Sequence, residues 1–154
     1  MNVGIIIFSR TGNTLAVAQK VRDALLKKGH TAVIERVSAQ DEDPQSRQPV
    51  QLKTAPDPQR FDAVIFGAPV QGFALSPIMK AYLTQMPQIA GKAAGCFITQ
   101  YFPKPWMGGK QAVKQVLSLC RSKGADVSKT GIVNWTSKSR GAMIDNAASL
   151  LSGI

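Results

Sequence analysis

The stretch FSRTGNT, residues 8–14, decides the fold because it separates an apolar run from an amphipathic segment. The run before it, VGIII at residues 3–7, is typical of a buried strand. The segment after it, LAVAQKVRDALLKKG at residues 15–29, has the periodicity of a helix that ends at a glycine. The stretch therefore predicts a polar loop between a strand and a helix.

The start of this helix offers a place for an anion. The first backbone N–H groups of a helix have no partner within the helix, and the helix dipole favours negative charge there. Ser9, Thr11 and Thr14 add hydroxyl groups. Asn13 adds an amide, and Gly12 lets the backbone approach a ligand closely. The stretch is neither a Walker loop nor G-x-G-x-x-G, and its polarity alone leaves open a phosphate site or a plain capped helix start.

The same alternation of strand and helix continues along the chain. Apolar runs predict strands, and apolar residues at helical spacing predict helices between them. The predicted strands are residues 3–8, 31–37, 61–69, 93–99 and 131–135, and the predicted helices are residues 12–28, 77–86, 112–120 and 143–151. Ser76 is expected to cap the second helix. Residues 38–60 contain four prolines and no clear periodicity, so they predict a loop with room for a short helical turn.

This order of elements predicts an α/β fold. Strands that alternate with helices form an open, five-stranded parallel sheet with helices on both faces, in three α/β/α layers. Residues 1–154 are expected to form a single domain. Ligands of such sheets bind beyond the carboxyl ends of the strands. The loops expected there are residues 9–14, 68–73 and 100–109.

The charge is unevenly distributed along the chain. There are 19 basic and 9 acidic residues, a net charge of +10. Residues 1–62 contain 9 basic and 7 acidic residues, whereas residues 63–154 contain 10 and 2. The second half predicts either an anionic partner or ligand, or simply a solvated basic surface. It carries no nucleic-acid recognition motif, and we expect no nucleic acid as a partner.

Other features bear on location and metal binding. No apolar run reaches the roughly 18 residues that cross a bilayer, and the apolar start does not resemble a signal peptide, so no membrane span and a cytoplasmic location are expected. Cys96 and Cys120 lie among apolar neighbours and are predicted to be free buried thiols, with a disulfide or redox pair as the alternative. One histidine, His30, and two separated cysteines do not form a usual zinc site, so no metal is expected.

The polar loop resembles the phosphate loop of the flavodoxin family. Ser9, Gly12 and Thr14 match the family signature, as do Ala18 and Val21 in the following helix. The signature expects an aromatic residue one position before Phe8, where this chain has an isoleucine. The segments at 61–83 and 95–127 are similar to the family's third strand with its first flavin loop, and to its fourth strand with its second flavin loop. The resemblance covers essentially the whole chain and implies a flavodoxin-like fold that binds FMN.

By that resemblance, three loops supply the cofactor site. The phosphate of FMN is expected at Ser9, Arg10, Thr11, Gly12, Asn13 and Thr14. One side of the flavin ring is expected at Ala68, Pro69, Val70, Gln71, Gly72 and Phe73. Its other side and its edge are expected at Thr99, Gln100, Tyr101, Phe102 and Gly109.

Two details of this site stay open at the level of sequence. Many family members have a large aromatic residue near position 71, where this chain has a glutamine. The residue that stacks on the ring could therefore be Phe73, Tyr101, Phe102 or Trp106, and any of these could instead belong to the core. Arg10 could contribute a positive charge at the phosphate, or it could be a surface residue whose side chain points away.

The resemblance implies redox chemistry rather than hydrolysis. The three loops contain no histidine or cysteine, and no obvious acid, base or nucleophile, so no catalytic residue is assigned. The first reading is a one-electron carrier between protein partners. The alternative is a small FMN-dependent oxidoreductase that takes hydride from NAD(P)H and reduces a quinone. The basic composition predicts that a redox partner protein is acidic, a ferredoxin being one example.

Overall fold

A computed structural model describes residues 1–102, 104 and 106–154. Pro103 and Pro105, both in the third predicted loop, lie outside the described residues. The strands are β1 (Asn2–Ile7), β2 (Thr31–Arg36), β3 (Ser38–Ala39), β4 (Leu52–Thr54), β5 (Ala63–Gln71), β6 (Ala74–Leu75), β7 (Ala93–Gln100) and β8 (Val127–Asn134). The helices are α1 (Asn13–Lys27), α2 (Pro77–Gln85), α3 (Gly109–Ser122) and α4 (Arg140–Leu151), with a short 3₁₀ helix at Pro58–Arg60.

Five long strands form a parallel sheet in the order β2-β1-β5-β7-β8. The pairings β1–β2, β1–β5, β5–β7 and β7–β8 are all parallel, so the carboxyl ends of the five strands share one edge. The predicted fold class, an open five-stranded parallel sheet with helices around it, is confirmed.

The core consists of two layers, one on each face of the sheet. Successive residues of a strand point to opposite faces, so Ile5 and Ile6 of β1 enter different layers. One layer packs against α2 and α3 through side chains such as Met79 and Val116. The other packs against α1 and α4 through side chains such as Val17. Each fully buried aliphatic side chain contributes about 1.5–3 kcal/mol, which makes the central strands a rigid base for the loops at their ends.

The structure differs from the sequence prediction at three places. Residues 38–60 are not only loop, because β3 and β4 pair in an antiparallel two-stranded sheet. The loop after β5 is a hairpin, in which β6 returns along the end of β5. The last strand begins at Val127 rather than at residue 131.

The predicted cap of α2 is only partly correct. Ser76 occupies the N-cap position and Pro77 the first position of the helix. The Ser76 hydroxyl nevertheless makes no capping hydrogen bond, and its oxygen is buried without a hydrogen-bond partner among the described residues. The end of the hairpin determines where Ser76 lies, since its N–H donates to the carbonyl oxygen of Pro69 at 3.2 Å.

Both cysteines are free and buried, as predicted. Burial raises the pKa of the Cys96 thiol to about 12, with a smaller contribution from the nearby Cys120. Burial raises the pKa of the Cys120 thiol to about 12 as well. In the part of the chain that the structure describes, no helix combines the length and the apolar character needed to cross a bilayer.

Candidate functional site

The loop between β1 and α1 is held by bonds at both of its ends. The Phe8 N–H donates to the Gly67 carbonyl at 3.0 Å, which continues the sheet one residue past β1. At the other end, the Ser9 hydroxyl oxygen accepts the Leu15 N–H at 3.2 Å. Gly12 is the N-cap of α1 and has a φ of +95°, in the left-handed region that favours glycine. The loop is therefore fixed in position before any ligand binds.

This arrangement leaves a row of backbone donors available. Within the described residues, the N–H groups of Thr11, Gly12, Asn13 and Thr14 have no hydrogen-bond acceptor. Arg10, Thr11 and Gly12 are exposed. Unpaired amides at the start of a 15-residue helix attract an anion, because the helix dipole adds to their own partial charges.

Two hydroxyl groups of the site are already engaged inside the protein. Thr14 Oγ1 lies 2.8 Å from Thr99 Oγ1, and both residues are buried. This bond connects the start of α1 to the end of β7. One of the two hydroxyls donates in this bond, so the other keeps its hydrogen for a further acceptor.

Arg36, at the end of β2, is a residue of the site that the sequence analysis missed. Its guanidinium donates to the Ser9 carbonyl at 2.9 Å, and its own carbonyl accepts the Thr54 hydroxyl at 3.0 Å. Arg36 therefore places a positive charge against the anion loop and joins that loop to the small β3–β4 sheet. A basic residue at the end of the strand next to β1 was the only sequence signal for this role.

The second loop is the tight turn of the β5–β6 hairpin. Gly72 and Phe73 form the turn and both have a φ of +62°, which is rare for a bulky residue such as phenylalanine. Val70 pairs with Leu75, and the Leu75 N–H donates to Gln115 Oε1 of α3 at 2.8 Å. The strain at Phe73 is therefore held by the hairpin pairing and by α3.

Gln100 organises the third loop. Its side-chain amide donates to the carbonyl oxygens of Phe102 at 2.5 Å and Lys104 at 2.6 Å. A Cβ atom on Gly109 would lie 2.3 Å from Gln100 Oε1, so a larger residue at the start of α3 would displace the Gln100 side chain. At Gly108, which has a φ of +119°, a Cβ atom would lie 2.9 Å from the backbone of Phe73. The second and third loops are thus in direct contact.

The three loops enclose a cleft of about 290 Å³ at the carboxyl edge of the sheet. This volume is close to the lower end of the range for small-molecule sites, about 300–1,000 Å³. The lining residues are Arg10, Thr11, Asn13, Pro44, Pro69, Val70, Gln71, Thr99, Gln100 and Tyr101. Pro44 comes from the polar segment after β3 and was not predicted.

The other predicted site residues lie around the cleft rather than on its wall. Ser9, Thr14, Ala68 and Gly109 are buried behind it. Gly12, Gly72, Phe73 and Phe102 are exposed beside it. Arg10 is exposed and lines the cleft. In the described ranges, no group of three or more His, Cys, Asp or Glu residues could hold a metal ion.

None of the four candidate stacking residues belongs to the core. The exposed fractions are 58% for Phe73, 69% for Tyr101, 45% for Phe102 and 72% for Trp106. Phe73 and Phe102 stack on each other with ring centroids 5.6 Å apart and planes 12° apart. Tyr101 meets Phe102 edge to face at 6.4 Å. The cleft therefore has an exposed aromatic cluster beside it, built from two loops.

Comparison with solved structures identifies the fold. The flavodoxin of Megasphaera elsdenii, in its two-electron reduced form, matches with a TM-score of 0.70 over 99% of this chain and 99% of that chain, at 20% identity. The chain has a flavodoxin fold. Oxidised flavodoxin 2 of Bacillus cereus matches with a TM-score of 0.69 over 99% of both chains, at 15% identity. No protein-family model and no curated protein sequence matches the chain.

A third solved structure that matches the chain contains a ligand. A flavoprotein of Lactobacillus acidophilus in complex with FMN matches with a TM-score of 0.63, at 17% identity. The match covers 85% of this chain and 92% of that chain. In the flavodoxin fold of the present chain, the cleft lies where β1 and β5 adjoin and the strand order reverses, which is where ligands of open α/β sheets bind.

Proposed function

We propose that the protein binds FMN in this cleft and serves as a redox protein, acting as a one-electron carrier between protein partners. The observation that supports this most strongly is the row of unpaired amides at the start of α1, beside a cleft with exposed aromatic side chains. A phosphate dianion suits the amides and Arg10, and a flat ring with a polar rim suits the cleft and its aromatic neighbours.

The assignment of individual residues follows the three loops. Residues Ser9, Arg10, Thr11, Gly12, Asn13 and Thr14 would hold the phosphate. The ring would lie between Ala68, Pro69, Val70, Gln71, Gly72 and Phe73 on one side and Thr99, Gln100, Tyr101, Phe102 and Gly109 on the other. Arg36 would keep the phosphate loop in place through the Ser9 carbonyl.

The composition of the cleft favours electron transfer over acid–base catalysis. Its lining residues include no Asp, Glu, His, Cys or Lys. When bound, FMN supplies the redox chemistry, and the protein contributes position and electrostatics. The residues of this chain would orient the ring, exclude water from its faces and leave one edge open at Tyr101.

The runner-up function is an NAD(P)H-dependent oxidoreductase that reduces a quinone or similar acceptor. The cations Lys104 and Lys110 favour it, because they lie near the cleft and could attract the phosphates of a nicotinamide cofactor. The carrier is preferred because the matches to flavodoxins extend over 99% of this chain and 99% of theirs. A cytoplasmic location is part of the proposal, since both cysteines are free, as is usual in a reducing compartment.

One absorbance experiment separates these functions. The purified protein is mixed with FMN, and spectra are recorded before and after addition of NADH or NADPH, with and without a quinone. The carrier predicts a flavin that dithionite bleaches and nicotinamides do not. Rapid bleaching by a nicotinamide, with turnover when quinone is present, would select the oxidoreductase. Absence of FMN binding would refute both.

A further inference from the structure

Four cations follow the carboxyl ends of the neighbouring strands β7 and β8, and we call them the cationic rim: Lys104, Lys110, Lys138 and Arg140. All four are exposed. Lys104 belongs to the loop between β7 and α3, and Lys110 belongs to the first turn of α3. The other two follow β8, the edge strand next to β7.

The backbone around Gln100 and Tyr101 holds the two parts of the rim together. The Trp135 N–H donates to the Gln100 carbonyl at 2.8 Å, and the Thr136 hydroxyl donates to the Tyr101 carbonyl at 2.8 Å. Arg140 stacks over the Trp135 ring, 4.7 Å from its centroid, and donates to the Trp135 carbonyl at 3.0 Å. Lys104 is connected to the same stretch of backbone, because the side-chain amide of Gln100 donates to the Lys104 carbonyl.

Among the described residues, none of the four rim cations forms a salt bridge with a carboxylate. Residues 100–154 contain two acidic residues: Asp126, which precedes β8 and so lies at the opposite edge of the sheet, and Asp145 in α4, which lines a groove with Lys20 and Lys27 of α1. On the far side of the cleft the charge is mixed, because Asp41, Glu42 and Asp43 precede Pro44, whereas Arg10 lines the cleft and Arg36 donates to the Ser9 carbonyl. The side beside β7 and β8 is therefore strongly basic, and the side beside β2 carries charges of both signs.

The rim also adjoins the most exposed aromatic side chains. Trp106 and Tyr101 expose 72% and 69% of their surface, and both lie in the same loop as Lys104. Trp and Tyr, together with Arg, are the residue types that contribute most of the binding energy in protein interfaces. A basic surface that serves only solubility does not require exposed aromatic residues beside it.

We propose that the cationic rim, with Trp106 and Tyr101, is the docking surface for an acidic electron-transfer protein. The partner sits off-centre, over the β7–β8 side of the cleft, because the four cations and both exposed aromatic residues lie there, whereas the carboxylates of Asp41, Glu42 and Asp43 lie on the other side. A nucleic acid fits less well, since those carboxylates interrupt the positive surface across the opening. This inference rests on the proposed function, because it takes the bound flavin as the reason for docking at this end.

The test measures binding of a small acidic ferredoxin to the FMN-loaded protein by calorimetry at low salt. The variant Lys110→Gln/Lys138→Gln removes two charges from the rim without touching the proposed FMN site. Its matched control, Lys20→Gln/Lys27→Gln, removes two exposed charges from α1. The rim variant is expected to weaken ferredoxin binding about four-fold, roughly two-fold for each exposed ion pair lost. The control should change it less than about two-fold.

Further measurements keep the two proposals separate. The rim variant and its control should both bind FMN as tightly as the unaltered protein does. Equal effects of the rim and control variants, no ferredoxin binding, or tighter binding of a single-stranded oligonucleotide at the rim would overturn the docking surface. Loss of FMN binding in the unaltered protein would overturn the proposed function instead, whatever the ferredoxin does.

Discussion

At the start of α1, one glycine determines the direction of the backbone amides that form the candidate anion site. Gly12 has a φ of +95°, and a Cβ atom there would meet no other atom within 4 Å. The cost of Gly12→Ala is therefore conformational rather than steric, about 1–2 kcal/mol for a left-handed residue. We expect this substitution to lower the free energy of unfolding by about 1 kcal/mol in urea denaturation and to weaken FMN binding.

Gly141 provides the matched control for this prediction. It also has open space around it, but it lies in α4 and has no positive φ. Gly141→Ala should raise the free energy of unfolding by about 0.5–1 kcal/mol and leave FMN affinity unchanged. Stability changes of the same sign at both positions would show that Gly12 does not need its left-handed conformation.

The buried pair of threonine hydroxyls gives a second prediction at this scale. Thr14→Val or Thr99→Val alone leaves one buried hydroxyl without a partner and should cost about 1–3 kcal/mol. The double variant leaves neither hydroxyl, so its cost should be smaller than the sum of the two single costs. A double-mutant cycle in urea measures this coupling, which we expect to be about 1 kcal/mol. Strictly additive costs would mean that the two hydroxyls do not interact.

Among the elements, the long buried strands could be predicted and the short ones could not. Residues 61–69 form a continuous apolar run, as a strand covered on both faces must, and β5 lies there. Two strands are too short to show the alternation of side chains that marks a strand in a sequence: Ser38–Ala39 and Leu52–Thr54. A polar segment that contains prolines separates them. Pro44 reaches the site from that segment, so the sequence analysis missed it. Arg36 was missed for another reason: it reaches the Ser9 carbonyl from the end of β2, where its side-chain partner is not visible in the sequence.

The edge of the sheet explains another difference. β8 pairs with only one neighbouring strand, and its first residues, Val127 to Thr130, are one apolar residue followed by three polar ones, without a continuous apolar run. The strand was therefore predicted only where it becomes apolar, near residue 131. The three loops of the candidate site could be predicted because they follow from strand order alone, whereas the stacked rings of Phe73 and Phe102 depend on a turn geometry that the sequence does not specify.

The contact between the hairpin and the start of α3 gives a prediction at the scale of elements. A Cβ atom on Gly108 would lie 2.9 Å from Phe73 Cα and 2.6 Å from Val70 Cγ1. Gly108→Ala must therefore move the hairpin or the helix, and its φ of +119° adds strain. We expect a loss of about 2 kcal/mol or more in unfolding free energy and weaker FMN binding, measured by urea denaturation and flavin fluorescence. An unchanged FMN affinity would show that the hairpin does not contribute to the site.

For the whole molecule, the two-layered core predicts how the thiols behave. Burial raises the pKa of Cys96 and Cys120 to about 12, so the reactive thiolate is scarce at pH 8. We expect a thiol reagent such as DTNB to label neither cysteine in the native protein and both in denaturant. The neutral buried thiols stabilise the fold fully below pH 9, and this contribution is lost as the pH rises from 9 towards 12. Rapid labelling of the native protein would contradict this burial.

The central claim for the whole molecule is that the start of α1 binds the phosphate of FMN. Comparing FMN with riboflavin tests it most directly, because the two share the ring and differ in the phosphate. The affinity of each is measured by titration of flavin fluorescence against the purified protein. We predict that FMN binds at least about ten-fold more tightly, since each hydrogen bond to a charged group contributes about 1.5–3 kcal/mol. Equal affinities for the two flavins, or no binding of FMN, would contradict the account.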